Sequence, residues 1–294
     1  MSKKEFSFVL FFEILMIIFR TISEYNNWRE TLESKTTLGF VPTMGFLHQG
    51  HISLVSESVS KNAATVVSIF VNPTQFNNSE DLEKYPKNEV RDIEMLEKAG
   101  ATAVFIPTES EMYPQPITRK WEFPGIDDVL EGAMRPGHFN GVAMVVSELF
   151  KIVKPDIAYF GKKDYQQLMI IKQLALNEFP DIKIKGLPII REQDGLAMSS
   201  RNSRLSKEER EIAPLIFEVL KRARQLIIDF EPEDVCNHCL KMLTESKIIR
   251  PEYFVIADAN TLKPILKKED RDNAVAFVAA WLGNVRLIDN YELF

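Results

Sequence analysis

From residue 38 to about residue 190 the chain alternates between two hydrophobic rhythms. Residues 38–41 form a short apolar run closed by Pro42, residues 64–71 a continuous β-branched run, and residues 103–106 and 157–160 two more short apolar stretches. Uninterrupted apolar runs of this length suit strands buried on both faces of a parallel sheet. Between them, residues 51–62 place Ile52, Leu54, Val55 and Val59 at helical spacing, and residues 81–100 form a charged helical stretch closed by Gly100. Residues 139–153 and 164–179 read as two further helices, and residues 17–22 as a candidate edge strand. Strands alternating with helices predict an α/β fold with a doubly wound, Rossmann-like parallel sheet.

After about residue 190 the rhythm changes. Residues 206–228 and 233–246 read as helices, followed by strands at 253–257, 275–281 and 285–288 with short turns between them. Helices and strands segregated in this way predict a second, smaller α+β domain. The expected division is 1–189 and 190–294, set by topology because no low-complexity linker separates the parts.

Composition narrows the function classes. With 45% hydrophobic and 27% charged residues the chain is an ordinary globular protein. A net charge of −6, without a block of like charges, argues against binding to nucleic acid. The apolar run at residues 8–19 is interrupted by Glu13 and too short to span a bilayer, and no small-residue cleavage site follows it. Cys236 and Cys239 form a lone C-x-x-C without the second pair a zinc site needs, and read as reduced thiols suited to the cytosol.

Open parallel sheets bind ligands at the carboxyl ends of their strands, and the residues with chemical potential here follow strands. The first strand runs into PTMGFLHQGH, residues 42–51. Gly45 and Gly50 let backbone approach a ligand, the helix beginning near His51 offers free N–H groups and a positive dipole end, and His48 and His51 can face one anion together. A single histidine there would read as a structural turn residue. Two of the chain's four histidines, flanking a glycine after a buried strand, favour a polyphosphate site. After the next strand, SIFVNPTQF (68–76) supplies Asn72 and Gln75, neutral amides suited to orienting a hydroxy acid. LEGAMRPGHFNGV (130–142) supplies Glu131, Arg135 and His138; GKKDYQQL (161–168) supplies Lys163, Asp164, Gln166 and Gln167 at a helix start. REQDGLAMSSRN (191–202) sets Ser199 and Ser200 beside Arg201, two hydroxyls and a guanidinium that can clamp phosphate.

H-x-G-H in this position resembles the signature of the nucleotidyltransferase superfamily, which includes the class I aminoacyl-tRNA synthetases. The five segments in this order, with VAAWLGNVRLIDN at 278–290, resemble the pantothenate synthetase (pantoate–β-alanine ligase) family from about Met16 to the C-terminus. The resemblance implies condensation of pantoate with β-alanine, ATP giving AMP and pyrophosphate through a pantoyl adenylate. It also implies Mg²⁺ as cofactor and a homodimer; the cysteine, charge and hydropathy readings above add a cytoplasmic location and small-molecule partners without nucleic acid or membrane.

By matching position, the resemblance implies an ATP site of Met44, Gly45, Phe46, Leu47, His48, Gln49, Gly50 and His51, with His51 as catalytic acid. Gly161, Lys162, Lys163 and Asp164 would contact the nucleotide, with Lys163 on the phosphates. Ile190 would lie on the adenine side and Met198, Ser199, Ser200 and Arg201 over the phosphates. Gln75 and Gln167 would hold pantoate, Gln75 also lying near β-alanine, and Asn72, Arg135 and His138 are expected to complete the substrate-binding set. Because the clamp at 199–201 falls at the expected domain junction, the C-terminal domain is expected to act as a lid. Asp92 is the magnesium candidate by family position. Two features depart from the family pattern: Lys162 replaces an acidic residue, and residues 1–15 precede the family's usual start and read as an extension or a misassigned start. Transfer of a nucleotidyl group to a phosphorylated acceptor would call for more basic residues than Gln75 and Gln167, and tRNA ligation for an anticodon-binding module.

Overall fold

The computed structural model describes residues 16–76 and 79–293; residues 1–15, on which the expected extension falls, lie outside them. Six parallel strands form the larger sheet: β1 (Ile17–Phe19), β2 (Leu38–Thr43), β3 (Ala64–Ile69), β4 (Ala103–Phe105), β5 (Ile157–Gly161) and β6 (Lys183–Leu187). Their spatial order is β1-β4-β3-β2-β5-β6, so the chain winds one way from β2 and then the other. The order reverses between β2 and β5, which is where such a sheet opens a crevice at its carboxyl edge.

Alternate side chains of the strands feed two cores. Val41, Val67, Val104 and Tyr159 face α2 (Gln49–Lys61) and α4 (Glu89–Lys98). Phe40, Val66, Phe105 and Phe160 face α1 (Ile22–Thr31), α7 (His138–Val153) and α8 (Tyr165–Glu178). This is the period of two that places helices on both faces. Short helices α3 (Ser79–Glu83), α5 (Glu109–Met112) and α6 (Leu130–Met134) lie in the connections.

Prolines account for most departures from the expected boundaries. The helix expected at 81–100 is two helices, because Pro86 cannot continue α3 and biases Tyr85 away from helical backbone. The helix expected at 206–228 is likewise two, α9 (Lys207–Ile212) and α10 (Leu215–Leu226), with Pro214 between them. By contrast β2 runs on through Pro42. The Thr43 carbonyl accepts from Phe70 N–H on the β3 side, so the missing donor of Pro42 points toward β5, whose pairing with β2 has already ended at Phe40. The strand expected at 17–22 stops at Phe19 and is indeed an edge, while α1, α5, α6 and β6 are elements that the sequence pattern does not predict.

The remainder contains α9, α10, α11 (Pro232–Glu245) and the antiparallel sheet β7 (Ile249–Asp258), β8 (Ala274–Leu282), β9 (Val285–Glu292). One face of this sheet packs under α10 and α11 through Val219, Leu220, Cys239, Phe254 and Val278. Burial pushes the Cys239 thiol up to about 12, an inert group. The opposite face places Val275 and Phe277 against Tyr165 and Met169 of α8. β9 is thereby brought alongside the carboxyl end of β5.

Candidate active site

The loop after β2 is held by a carboxylate from behind. Gly45 (φ 77°) and Phe46 (φ 48°) both have left-handed backbone, free of cost only for the glycine. The buried side chain of Asp92 fixes the turn, its two oxygens accepting the N–H groups of Phe46 and Leu47 at 2.7 Å each. Asp92, the magnesium candidate, thus spends both oxygens on main chain. Leu47 is fully buried beneath the loop.

The next turn begins α2 in an unusual way. His48 is the N-cap and its Nδ1 accepts the Gly50 N–H (3.1 Å), while Nδ1 of His51 accepts the His48 N–H (3.3 Å). Two imidazoles thus occupy the reciprocal positions that serine or threonine and glutamate hold in a capping box. With each Nδ1 engaged as an acceptor, the neutral ring carries its proton on Nε2. The rings lie 4.1 Å apart between centroids. Burial, with the Lys163 ammonium next in importance, lowers His48 to about 4; burial and the neighbouring His48 ring hold His51 well below the ordinary value. Before ligand arrives both are therefore neutral Nε2–H donors. The catalytic-acid role expected of His51 requires an anion at the ring to raise its pKa.

Across the crevice, β5 ends in Gly161 and presents Lys163 and Asp164, whose ammonium and carboxylate are 3.6 Å apart. Lys162 faces elsewhere, its ammonium 2.6 Å from Glu292. The clamp closes the third side. Ser200 Oγ donates to the Phe46 carbonyl (3.1 Å), and Asp81 of α3 accepts from Arg201 (2.8 Å) and Arg204 (2.6 Å).

On the fourth side lies a mixed wall. The Gln75 side chain donates to Met44 Sδ (2.8 Å), and the main-chain carbonyl of Gln75 accepts from His138 Nδ1 (2.8 Å). Arg135 donates to His138 Nε2 at 3.1 Å. Phe70, Val142, Val145, Val146 and Leu149 add apolar surface and Gln167 reaches in from α8. Asn72 does not line the crevice. It is fully buried, donating to the Gly141 carbonyl (3.0 Å) and accepting from Tyr113 (2.9 Å), and so supports the turn that carries Gln75. Gln166 is also internal, donating to the Val129 carbonyl at 2.8 Å.

Gly141 makes that turn possible. A Cβ there would lie 2.5 Å from the Thr74 carbonyl oxygen and 2.8 Å from Gln75 Cα, so helix and turn could not both keep their places. Gly141→Ala is expected to displace Gln75 and raise about tenfold the apparent KM for the substrate this amide is expected to orient, within the range for misplaced binding groups. Initial rates against substrate concentration, with a thermal midpoint as control, check this.

One crevice thus joins Met44, His48, Gly50, His51, Gln75, Arg135, His138, Gly161, Lys163, Asp164, Gln167, Ile190 and Met198–Arg201. Of the expected site residues, Gly45, Phe46, Leu47, Gln49, Lys162 and Asn72 stand outside its lining. Sequence reasoning misses Asp81, Tyr85 and the valines of α7, as well as the loop-fixing role of Asp92. Only the valines carry a signal, an apolar helix that begins beside His138.

The family model for pantoate–β-alanine ligase matches residues 17–292. The chain belongs to the pantoate–β-alanine ligase family. It is an enzyme that joins pantoate to β-alanine at the expense of ATP. The pantothenate synthetase of Porphyromonas gingivalis is 46% identical over 278 residues, 94% of this chain and 99% of that one. That of Bacteroides thetaiotaomicron is 49% identical over 255 residues, 87% of this chain and 90% of the other. Among solved structures, pantothenate synthetase from Thermus thermophilus has a TM-score of 0.89 and 37% identity, covering 95% of this chain and 100% of that one. Pantoate–β-alanine ligase from Francisella tularensis, solved with β,γ-ATP and β-alanine, has a TM-score of 0.81 and 39% identity, covering 95% and 98%.

Proposed function

We propose that the ligation runs through a pantoyl adenylate formed and consumed in this single crevice. The carrying observation is that the phosphate-type groups (His48, His51, Lys163, Ser199, Arg201) and two primary amides beside an apolar wall line the same space. ATP lies with its adenine toward Ile190 and Met198 and its phosphates over the start of α2. Pantoate lies against Phe70 and the valines of α7, a surface matched to its gem-dimethyl carbon, with Gln75 and Gln167 on its oxygen atoms.

In the first step a carboxylate oxygen of pantoate attacks the α-phosphorus and pyrophosphate leaves. Negative charge builds on phosphate oxygens, where the Nε2–H groups of His48 and His51, the Lys163 ammonium and the Arg201 guanidinium stabilise it without reorganising. In the second step the unprotonated amine of β-alanine attacks the activated carbonyl, the amine proton is lost and AMP departs. No protein nucleophile is required. The polar groups already fixed by Asp92, Asp81 and the helix cap supply positioning.

Among the described residues no cluster of three His, Cys, Asp or Glu could cage a metal, and Asp164 is the carboxylate that lines the crevice. That suits magnesium brought by ATP on its phosphates, with Asp164 at hand, better than a resident ion. When bound, such an ion would supply additional positive charge toward the pyrophosphate. A homodimer is proposed on the resemblance alone. A cytoplasmic location agrees with the two free cysteines, and no helix among the described residues is long and apolar enough to cross a membrane.

The expected result is exchange of labelled pyrophosphate into ATP with pantoate alone, and net AMP release only when β-alanine is also present. AMP release independent of pantoate would exclude the proposed order.

A further inference from the structure

We propose that Asp289 and Asn290, near the end of β9, are positioning residues for the adenylation half-reaction, fixing Lys163 relative to the Ser199–Arg201 clamp. The inference rests on the active-site reading above and extends it to two residues that lie behind the reacting groups.

Asn290 is buried, and its amide nitrogen donates to the carbonyl oxygens of Lys162 and Lys163, both at 2.9 Å. These carbonyls belong to the two peptide groups flanking the Lys163 Cα. Holding both sets the direction in which the Lys163 side chain leaves the backbone, and both donors of the Asn290 amide are spent on it. Without that bridge the turn from β5 into α8 has few side-chain restraints, since neither Gly161 nor Asp164 makes a side-chain cap bond there.

The neighbouring residue reaches the opposite wall. Asp289 accepts from both terminal nitrogens of Arg191, at 2.6 and 3.1 Å, and from the Asn290 N–H at 2.8 Å. Arg191 also donates to the carbonyls of Asn290 (3.2 Å) and Gly195 (3.1 Å), and its guanidinium stacks 3.8 Å from the Phe217 ring. Arg191 pairs with Ala197, and the Met198 N–H donates to Ile190, so the guanidinium grips the hairpin that delivers Ser199 to Arg201. One dipeptide on β9 is thus bonded to both phosphate-side segments. The fork is bidentate and enclosed, the geometry that fixes orientation most strongly.

The test uses the full-length enzyme with Asn290→Ala and the isosteric Asn290→Asp. Pantoate-dependent ATP–pyrophosphate exchange is measured beside amide formation from supplied pantoyl adenylate and β-alanine, with thermal midpoints for each variant. Exchange is expected to fall about 10- to 100-fold in Asn290→Ala, the scale for a displaced reacting group. It should fall at least as far in Asn290→Asp, where a carboxylate faces two carbonyls. Amide formation from the supplied adenylate, which no longer involves pyrophosphate, should change little. In a Lys163→Ala background the effect of Asn290→Ala on exchange should largely vanish, because the two residues act as one unit. Unchanged exchange, equal loss in both half-reactions, or Asn290→Asp retaining more exchange than Asn290→Ala would each overturn the inference and leave a packing role. Absence of pantoate-dependent exchange in the unaltered enzyme would instead overturn the active-site reading itself.

Discussion

Lys163→Ala is expected to slow adenylation by about 10²-fold or more while leaving the fold intact, the scale for removing one preorganised charge-stabilising donor. Lys163 lies part-buried at the carboxyl end of β5, its ammonium 3.6 Å from Asp164 and directed into the crevice that holds His48 and His51. Its loss would leave the developing pyrophosphate charge to two neutral imidazoles and Arg201. Arg201 already gives one edge of its guanidinium to Asp81, so it cannot turn freely to compensate. Pyrophosphate exchange driven by pantoate is the measurement. Near-normal exchange in Lys163→Ala would sink the role assigned to it.

The largest expected effect on stability lies elsewhere, at Arg286. This residue on β9 donates to both oxygens of Glu131 (2.7 and 2.8 Å) and to Glu252 at 2.8 Å, with Tyr253 donating to Glu131 at 2.7 Å. Burial raises the Glu131 pKa, but the bidentate bonds from Arg286 outweigh it and leave the group below the ordinary carboxylate value. Arg286→Met would leave Glu131 enclosed with only Tyr253 and a distant Arg135, 4.0 Å away. Breaking a buried pair in this way costs about 3–5 kcal/mol.

The sign with pH follows from proton binding. In the unaltered protein Glu131 has a lowered folded pKa, so its contribution is present above the unfolded value and is lost as pH falls. In Arg286→Met burial would act nearly unopposed and raise the folded pKa, so that variant loses stability as pH rises. The gap between the two proteins should therefore be wider at pH 8 than at pH 5. Urea titrations at both values measure it; a gap that narrows with rising pH would contradict the account.

Strand and helix order, and the segments that meet in the crevice, are readable along the chain. Buried β-branched runs such as 64–71 admit few alternatives, and chemistry placed after such strands converges wherever the sheet order reverses. β6 is hidden because its sequence, KIKGL, alternates lysine with apolar residues at a half-buried sheet edge. α1 is hidden because Tyr25 is its only buried residue. Supporting carboxylates are harder still. Asp92 lies on a charged helix that reads as solvated surface, and its two bonds to the loop after β2 span more than forty residues. Asn72 reads as a ligand-facing amide because sequence locates it after a strand, but not which way its side chain turns.

The paired histidines at the start of α2 carry a consequence for mutational tolerance. In each ring Nδ1 caps the helix, and both rings line the crevice proposed above to take the phosphates, so on that reading assembly and chemistry draw on the same side chain. A substitution at His48 or His51 is therefore a double lesion. Second-site changes that restore stability should rescue the amount of protein without restoring its turnover, and drift at these two positions has few neutral routes.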